Sequence, residues 1–341
     1  MPRPTLQTIA DHAGVSRMTV SRALRFDKSI PEETRNRILA IAQRLNYRPN
    51  PLISALMSDI RSRQPANSGA RLAFLTATST EFAWKKMKFY AELHRGVVGR
   101  AGELGFGIET LWWTEPGMTG KRMTQILRAR GIEGIVIGTL PSENESMDLE
   151  WDLFASSALG YSLIDPNIHR VASNQFHAIQ LALKKLENLG YRRIGLAIPP
   201  DMDRRMDHAW RAGFFNHHAE ALRLGGELLF SDRRDRKSFI RWMKRVRPDA
   251  VIGIDSVLKE WLEESGYHVP EDVGFVTLID PSSKERHLAC IHRDYRGMGA
   301  AAVDLVFGQL QSNERGIPQR PYTVLVEAEW RAGSSVREVS S

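Results

Sequence analysis

The sequence predicts an all-α head followed by an α/β core of two Rossmann-like lobes. Three observations predict it. Residues 1–64 hold eleven arginines and lysines against five acids, so nearly all of the formal charge of +7 sits on the first fifth of the chain. Within that stretch, apolar residues recur at helical spacing in short segments punctuated by Gly14 and Pro31. From Leu72 onward, short apolar runs alternate with longer helical segments, the pattern of parallel sheets joined by right-handed crossovers.

The first helix spans Thr5 to Ala13, with Thr5 as cap and Leu6, Ile9, Ala10 and Ala13 as its apolar face. Gly14-Val15 joins it to a second helix, because glycine takes the left-handed backbone that a tight interhelical turn needs. Ser16 caps that second helix through its hydroxyl. Val20, Ala23 and Leu24 turn inward, and Arg17, Met18, Ser21, Arg22 and Arg25 fall on the other face. Arginine forks and hydroxyls are the groups that read guanine edges and grip phosphates. Helix, glycine turn, helix is the helix-turn-helix, whose second helix enters the major groove. A third helix runs from about Glu32 to Asn46. Pro31 starts it, Glu32 and Glu33 suit its positive end, and Ile38, Ile41, Ala42 and Leu45 are its buried face. Thr5, Ser16, Thr19, Ser21, Thr34, Tyr47 and Asn50 offer neutral hydrogen bonds to phosphate. The expected partner is double-stranded DNA, bound with a steep salt dependence. One such head covers too few base pairs for genomic specificity, so a homodimer is expected.

The head ends near residue 49. Asn50 caps a restart, Pro51 fits the first helical position, and Leu52 to Ser58 gives one or two apolar turns within residues 50–60. So short a helix is marginal alone. Residues 61–70 read as a linker. Beyond it, strands are expected at 72–76, 108–112, 132–138, 194–198, 250–254 and 273–278. Helices are expected near 89–104, 119–130, 174–189, 204–223, 235–246, 256–265 and 294–311. Leu-Gly-Phe at 104–106, Leu-Gly-Tyr at 189–191 and Ser-Gly-Tyr at 265–267 repeat one device, in which glycine ends a helix and an aromatic opens the next strand.

Composition excludes several classes. The single cysteine, Cys290, forbids an internal disulfide and fits a reducing cytoplasm. No run reaches about 18 apolar residues and no signal core opens the chain, so neither membrane nor export is expected. Gly-x-Ser-x-Gly, P-loop and His-Glu-x-x-His motifs are absent, so neither an enzyme, nor a cofactor, nor a metal is expected. Gly105-Phe106-Gly107 follows a helix and is punctuation. Adjacent His217 and His218 do not share a helix face. The C-terminal residues 336–341 carry no leucine heptad, so no coiled-coil tetramer is expected.

Thr5-Leu6, Ile9-Ala10, Ala13-Gly14-Val15-Ser16 and Thr19-Val20-Ser21-Arg22-Ala23-Leu24 resemble the lactose-repressor (LacI/GalR) family of bacterial transcription regulators. Thr34-Arg35, Ile38 and Leu45-Asn46-Tyr47-Arg48-Pro49-Asn50 do so too. The resemblance implies a homodimer on a pseudo-palindromic operator, with Arg17, Met18 and Arg22 reading bases. It implies that Thr5, Ser16, Thr19, Ser21, Arg25, Thr34, Tyr47 and Asn50 position phosphates. It also implies that residues 50–60 are a hinge helix whose Leu56 wedges into the minor groove. The core, 71–341, would be periplasmic-binding-protein-like, with an N-lobe of about 71–164 and 292–321 and a C-lobe of about 165–291 and 322–341. A small-molecule effector would lie between the lobes.

The expected cleft departs from the family. Trp210 stands where an arginine usually holds a sugar or anion, Ile254 replaces an asparagine beside Asp255, and Ile279 replaces an aspartate. A buried hydroxyl left without a partner costs about 1–3 kcal/mol, which argues against a simple sugar held in the usual way. Phe89, Tyr90, Trp210, Ile254, Asp255 and Ile279 are the candidate cleft residues, with Phe82, Trp84 and Trp113 as further aromatics. The alternatives are a regulator with no small effector and a ligand receptor with a vestigial head.

Overall fold

The computed structural model of the chain describes residues 6–24, 30–45, 70–141, 145–217, 227–229 and 235–339. In the head, α1 (Leu6–Ala13), α2 (Arg17–Leu24) and α3 (Glu32–Arg44) enclose one small core. Ile9, Ala10, Ala13, Val20, Ala23, Ile38, Ile41 and Ala42 fill it, with Val15, Leu24, Ile30 and Leu45 at its edge. Gly14 has φ of +64°, which lets the Val15 N–H turn back to the Ala10 carbonyl at 3.2 Å.

The core begins with β1 (Arg71–Thr76), α4 (Ala83–Lys86), α5 (Lys88–Glu103) and β2 (Gly107–Trp112). There follow α6 (Gly120–Ala129), β3 (Gly134–Ile137), β4 (Glu145–Ser146), β5 (Ala155–Leu159), β6 (Leu163–Asp165) and β7 (Arg170–Ser173). The second lobe carries α7 (Gln175–Asn188), β8 (Ile194–Ile198), α8 (Pro200–Arg205), α9 (Ala209–His217) and β9 (Glu227–Leu229). It continues through α10 (Arg236–Val246), β10 (Ala250–Gly253), α11 (Val257–Glu264), β11 (Gly274–Thr277) and β12 (Ala289–Arg293). The chain then returns in α12 (Tyr295–Ser312) and β13 (Thr323–Val326), and leaves again in β14 (Ala328–Arg331). One parallel sheet has the order β13-β7-β5-β3-β1-β2, and the other β14-β12-β11-β10-β8-β9 with only β14 antiparallel.

Among the described residues the expected strands and helices lie within two residues of those observed, with one exception. The helix expected over 204–223 is α8 and α9, divided where Asp207 and His208 take φ of 52° and 58°. Left-handed backbone at two successive residues cannot continue a helix.

The expected lobe boundaries need correction. Strands β7 and β13 both join the first sheet, pairing Arg170–Ser173 with Thr323–Val326. The crossings therefore fall at Asn174, Asp294 and Glu327 rather than at 162–172, 290–293 and 320–324. The first lobe thus keeps residues 70–173 and the return segment through β13, and the second lobe begins at α7. Strand β5 has no apolar run to announce it, since its centre is Ser156-Ser157. Helix α12 satisfies the Ser157 hydroxyl and the Ser156 backbone. Ser157 Oγ donates to the Ala302 carbonyl at 2.8 Å, and the Gln309 amide bonds both the N–H and the C=O of Ser156.

Helices α5 and α12 touch through glycines. A Cβ on Gly96 would meet the Arg296 carbonyl oxygen at 2.1 Å, and one on Gly299 would meet that of Leu93 at 2.2 Å.

Candidate DNA-binding head and interlobe cleft

Helix α2 starts as its sequence requires. Ser16 Oγ accepts the Thr19 N–H at 3.0 Å and bonds the Thr19 hydroxyl at 2.8 Å. The exposed Ser16 is thus a cap that fixes where the helix begins. Ser16→Ala should lower head stability by about 1 kcal/mol. Thermal melts of the isolated substitution in the full chain, followed by amide exchange in 16–24, check this; unchanged exchange rejects the cap. Val20 and Ala23 are wholly buried. The helical period puts positions 18 and 22 on the face away from them, with position 17 in the first turn. For Arg17, Met18, Ser21 and Arg22 the backbone alone is described. Thr5, Arg25, Tyr47, Asn50 and Leu56 lie outside the described residues, as do the hinge helix and most of the linker. Thr34 is half-buried in the first turn of α3.

Each passage between the lobes is tied down. Asn174 caps α7, accepting the His177 N–H at 3.2 Å, and Asp294 caps α12, accepting that of Gly297 at 2.8 Å. At the third crossing, Glu327 accepts from Asn174 Nδ2 at 2.8 Å and meets His177 Nδ1 at 2.7 Å. The Asn174 bond first, then His177, holds the Glu327 carboxyl below the usual range. A second tie spans the lobes directly. Arg205 of α8 donates to the carbonyls of Leu140 at 2.9 Å and Pro141 at 2.6 Å, just beyond β3. Beneath it, the buried Asp203 meets His208 Nδ1 at 2.9 Å and Arg211 Nε at 3.4 Å. Arg205→Ala should loosen the lobes, raising amide exchange in 138–141 and 200–208 with secondary structure intact. Unchanged exchange there rejects Arg205 as a clasp.

A cavity of about 370 Å³ opens where α5 and α12 of the first lobe face β12 and β14 of the second. Phe89, Tyr295, His292, Arg293 and Asp280 are among its walls, with Lys88 and Arg331 also lining it. Arg293 is 6% exposed, and its guanidinium carbon lies 5.4 Å from the Trp210 ring centre and 5.9 Å from that of Tyr295.

Comparison with known proteins fits both parts. The model of bacterial regulatory proteins, lacI family, matches residues 5–50, and that of the periplasmic binding protein-like domain matches residues 183–336. The chain thus joins a lacI-family helix-turn-helix head to a periplasmic binding protein-like domain. A relative from Mannheimia succiniciproducens, the HTH-type transcriptional repressor PurR, is 21% identical over 90% of this chain and 92% of its own length. The HTH-type transcriptional regulator KdgR of Bacillus subtilis is 23% identical over 95% of each. Among solved structures, a transcriptional regulator CelR–cellobiose complex has a TM-score of 0.55 at 20% identity, covering 98% of this chain and 100% of that one. A lac repressor dimer bound to operator and an anti-inducer also has 0.55, at 18% identity with the same coverage. These relatives are transcription regulators rather than enzymes.

Of the six cleft residues expected from the sequence, only Phe89 lines the cavity. Trp210 is 0% exposed and Ile254 2% exposed, both within the second lobe's core, and Ile279 packs against the same cluster. Tyr90 is buried edge-on to Phe74, and burial raises its pKa. Asp255 accepts the Val257 N–H at 3.1 Å and so shapes the start of α11. Of the other aromatics, Trp84 is buried against Tyr90 and His94, Phe82 is exposed beside Lys85, and Trp113 packs on the first lobe's core. The apolar replacements are therefore a plug of packed side chains. The residues that sequence reasoning missed are Arg293, Lys88, Arg331 and the clasp Arg205. The polar run His292-Arg293-Asp294 at the end of an apolar strand was the available signal.

Other reactive-looking groups have structural explanations. His217 Nε2 meets Glu187 at 2.9 Å. Burial pushes the Cys290 thiol up to about 11, so it stays protonated and poorly nucleophilic at neutral pH. Among the described residues no group of three His, Cys, Asp or Glu is placed to hold a metal, and no helix is long and apolar enough to cross a membrane.

Proposed function

We propose that the regulator binds a pseudo-palindromic operator as a homodimer and that a small molecule in the interlobe cavity modulates that binding. Each head places Arg17, Met18 and Arg22 in one major-groove half-site, while Ser16, Thr19, Ser21, Thr34 and the flanking Thr5, Arg25, Tyr47 and Asn50 set its register on phosphates. Two Leu56 side chains part the base step at the centre. The observation that carries this reading is the Gly14 turn with its Ser16-capped second helix, resting on the buried face of α1 and α3. The charge concentrated on residues 1–64 supports it, since phosphate neutralisation dominates DNA affinity. In the cell the dimer works in the cytoplasm, on the nucleoid.

Selection from random duplexes, with and without a pool of metabolites, tests the proposal. A two-fold symmetric motif of about 14–20 base pairs is expected. An asymmetric motif rejects the dimeric docking. A metabolite that changes enrichment identifies a working effector site. Leu56→Ala should spare nonspecific binding and reduce the bend at the operator centre. Equal bend angles for variant and parent reject the wedge.

One observation favours a second reading, a regulator with no small effector. Trp210 and Ile254 occupy family ligand positions with core side chains. Under that reading no metabolite changes enrichment.

A further inference from the structure

We propose that the interlobe cavity takes a small organic oxyanion, a carboxylate or phosphate monoester, and that Arg293 is its anchor. The inference rests on the cleft being an effector site. It follows from where positive charge has gone. Trp210 removes the usual cation from α9, and Arg293 brings a guanidinium into the space over that same ring from the end of β12. Trp210 and Tyr295 flank the guanidinium, and Arg293 Nη2 is fixed on the Leu278 carbonyl at 2.7 Å. Its Nε is buried and has no partner, and no carboxylate forms an ion pair with the guanidinium among the described residues. A buried guanidinium left without a counter-ion is costly, and an oxyanion on its cavity side would offset that cost.

The remaining charges agree. Every acid on the cavity wall is already engaged. Glu92 pairs with Arg296 at 2.5 Å and with Arg95, Asp280 pairs with His292, and Asp294 caps α12. Lys88 and Arg331 are exposed on the same cavity and have no ion-pair partner among the described residues. The N-termini of α5 and α12 both open there, adding positive field to side-chain charge. The volume, about 370 Å³, suits a monosaccharide-sized body. The apolar plug and the cationic wall together describe one change of ligand class. Three positions expected to be polar are apolar, and a guanidinium suited to an anionic group lines the cavity beside them.

The test is calorimetric titration of the full chain with D-gluconate, D-glucose 6-phosphate and D-glucose at equal ionic strength. At least one anion should bind about ten-fold or more tightly than glucose. Which anion does so separates carboxylate from phosphate. Arg293→Gln should erase that preference. Circular dichroism establishes that the variant folds. Glucose binding as tightly as either anion, or Arg293→Gln leaving the preference unchanged, overturns the oxyanion assignment but not the effector reading. Failure of all three compounds, with a neutral metabolite from the selection pool still shifting operator enrichment, overturns it in the same way. Failure of all three with no active metabolite overturns both readings.

Discussion

Gly299→Val is expected to lower stability by about 3 kcal/mol, the upper part of the range for overpacking a close contact. The new Cβ would lie 2.2 Å from the Leu93 carbonyl oxygen and 2.9 Å from the Val97 nitrogen. Both are helix backbone and cannot rotate away as a side-chain tip would. Helices α5 and α12 must therefore separate, and they carry Leu93, Val97, Met298, Ala302, Val303 and Val306 of the first lobe's core. Gly308 of the same helix is the control. A Cβ there meets nothing within 4 Å, so Gly308→Ala should stabilise by about 0.4–1 kcal/mol through the unfolded chain. Denaturant unfolding followed by circular dichroism compares the two. Equal midpoints for both variants and the parent would show that the glycine contact does not hold the helices together.

Arg22→Ala is expected to cost about 1–3 kcal/mol of specific operator binding, or roughly 5- to 150-fold in affinity. Preference should relax at one base pair of each half-site. Nonspecific binding should fall far less, because it draws on the whole positive head. Fluorescence anisotropy on the selected operator and on a scrambled duplex separates the two. An unchanged footprint and affinity would exclude position 22 from base reading and move the docking face elsewhere on α2. The expectation rests on register. Positions 20 and 23 are buried against α1 and α3, so position 22 faces out from any head that keeps this core.

The head was legible almost residue by residue, because every signal in it is local. A glycine between two short amphipathic segments, a serine at the cap and a proline at the next start each act within one turn. The α/β alternation was legible for the same reason, and β8 lies over the expected 194–198. Strand β5 was not. The Ser157 hydroxyl and the Ser156 backbone are satisfied by Ala302 and Gln309, about 150 residues later, and no window on the strand contains them. The lobe boundaries failed in the same manner. Strand β13 alternates exposed and half-buried positions, as an edge strand does, and only its pairing with β7 assigns it to the first sheet.

The cleft divides along the same line. The sequence placed the apolar Trp210, Ile254 and Ile279 where the resemblance implies polar ligand positions. It also determined a basic helix-turn-helix head and two lobes of alternating strands and helices. Tertiary structure decided where the replaced charge went. Lys88 comes from α5, Asp280 from the loop after β11, Arg293 from β12 and Arg331 from β14, and only strand order and the Asn174, Asp294 and Glu327 crossings bring them to one cavity. Periodicity and capping act over a few residues and leave a record in the chain. A cavity is the meeting of distant segments, and the charge at its base is set by which rings and carbonyls surround one guanidinium after folding.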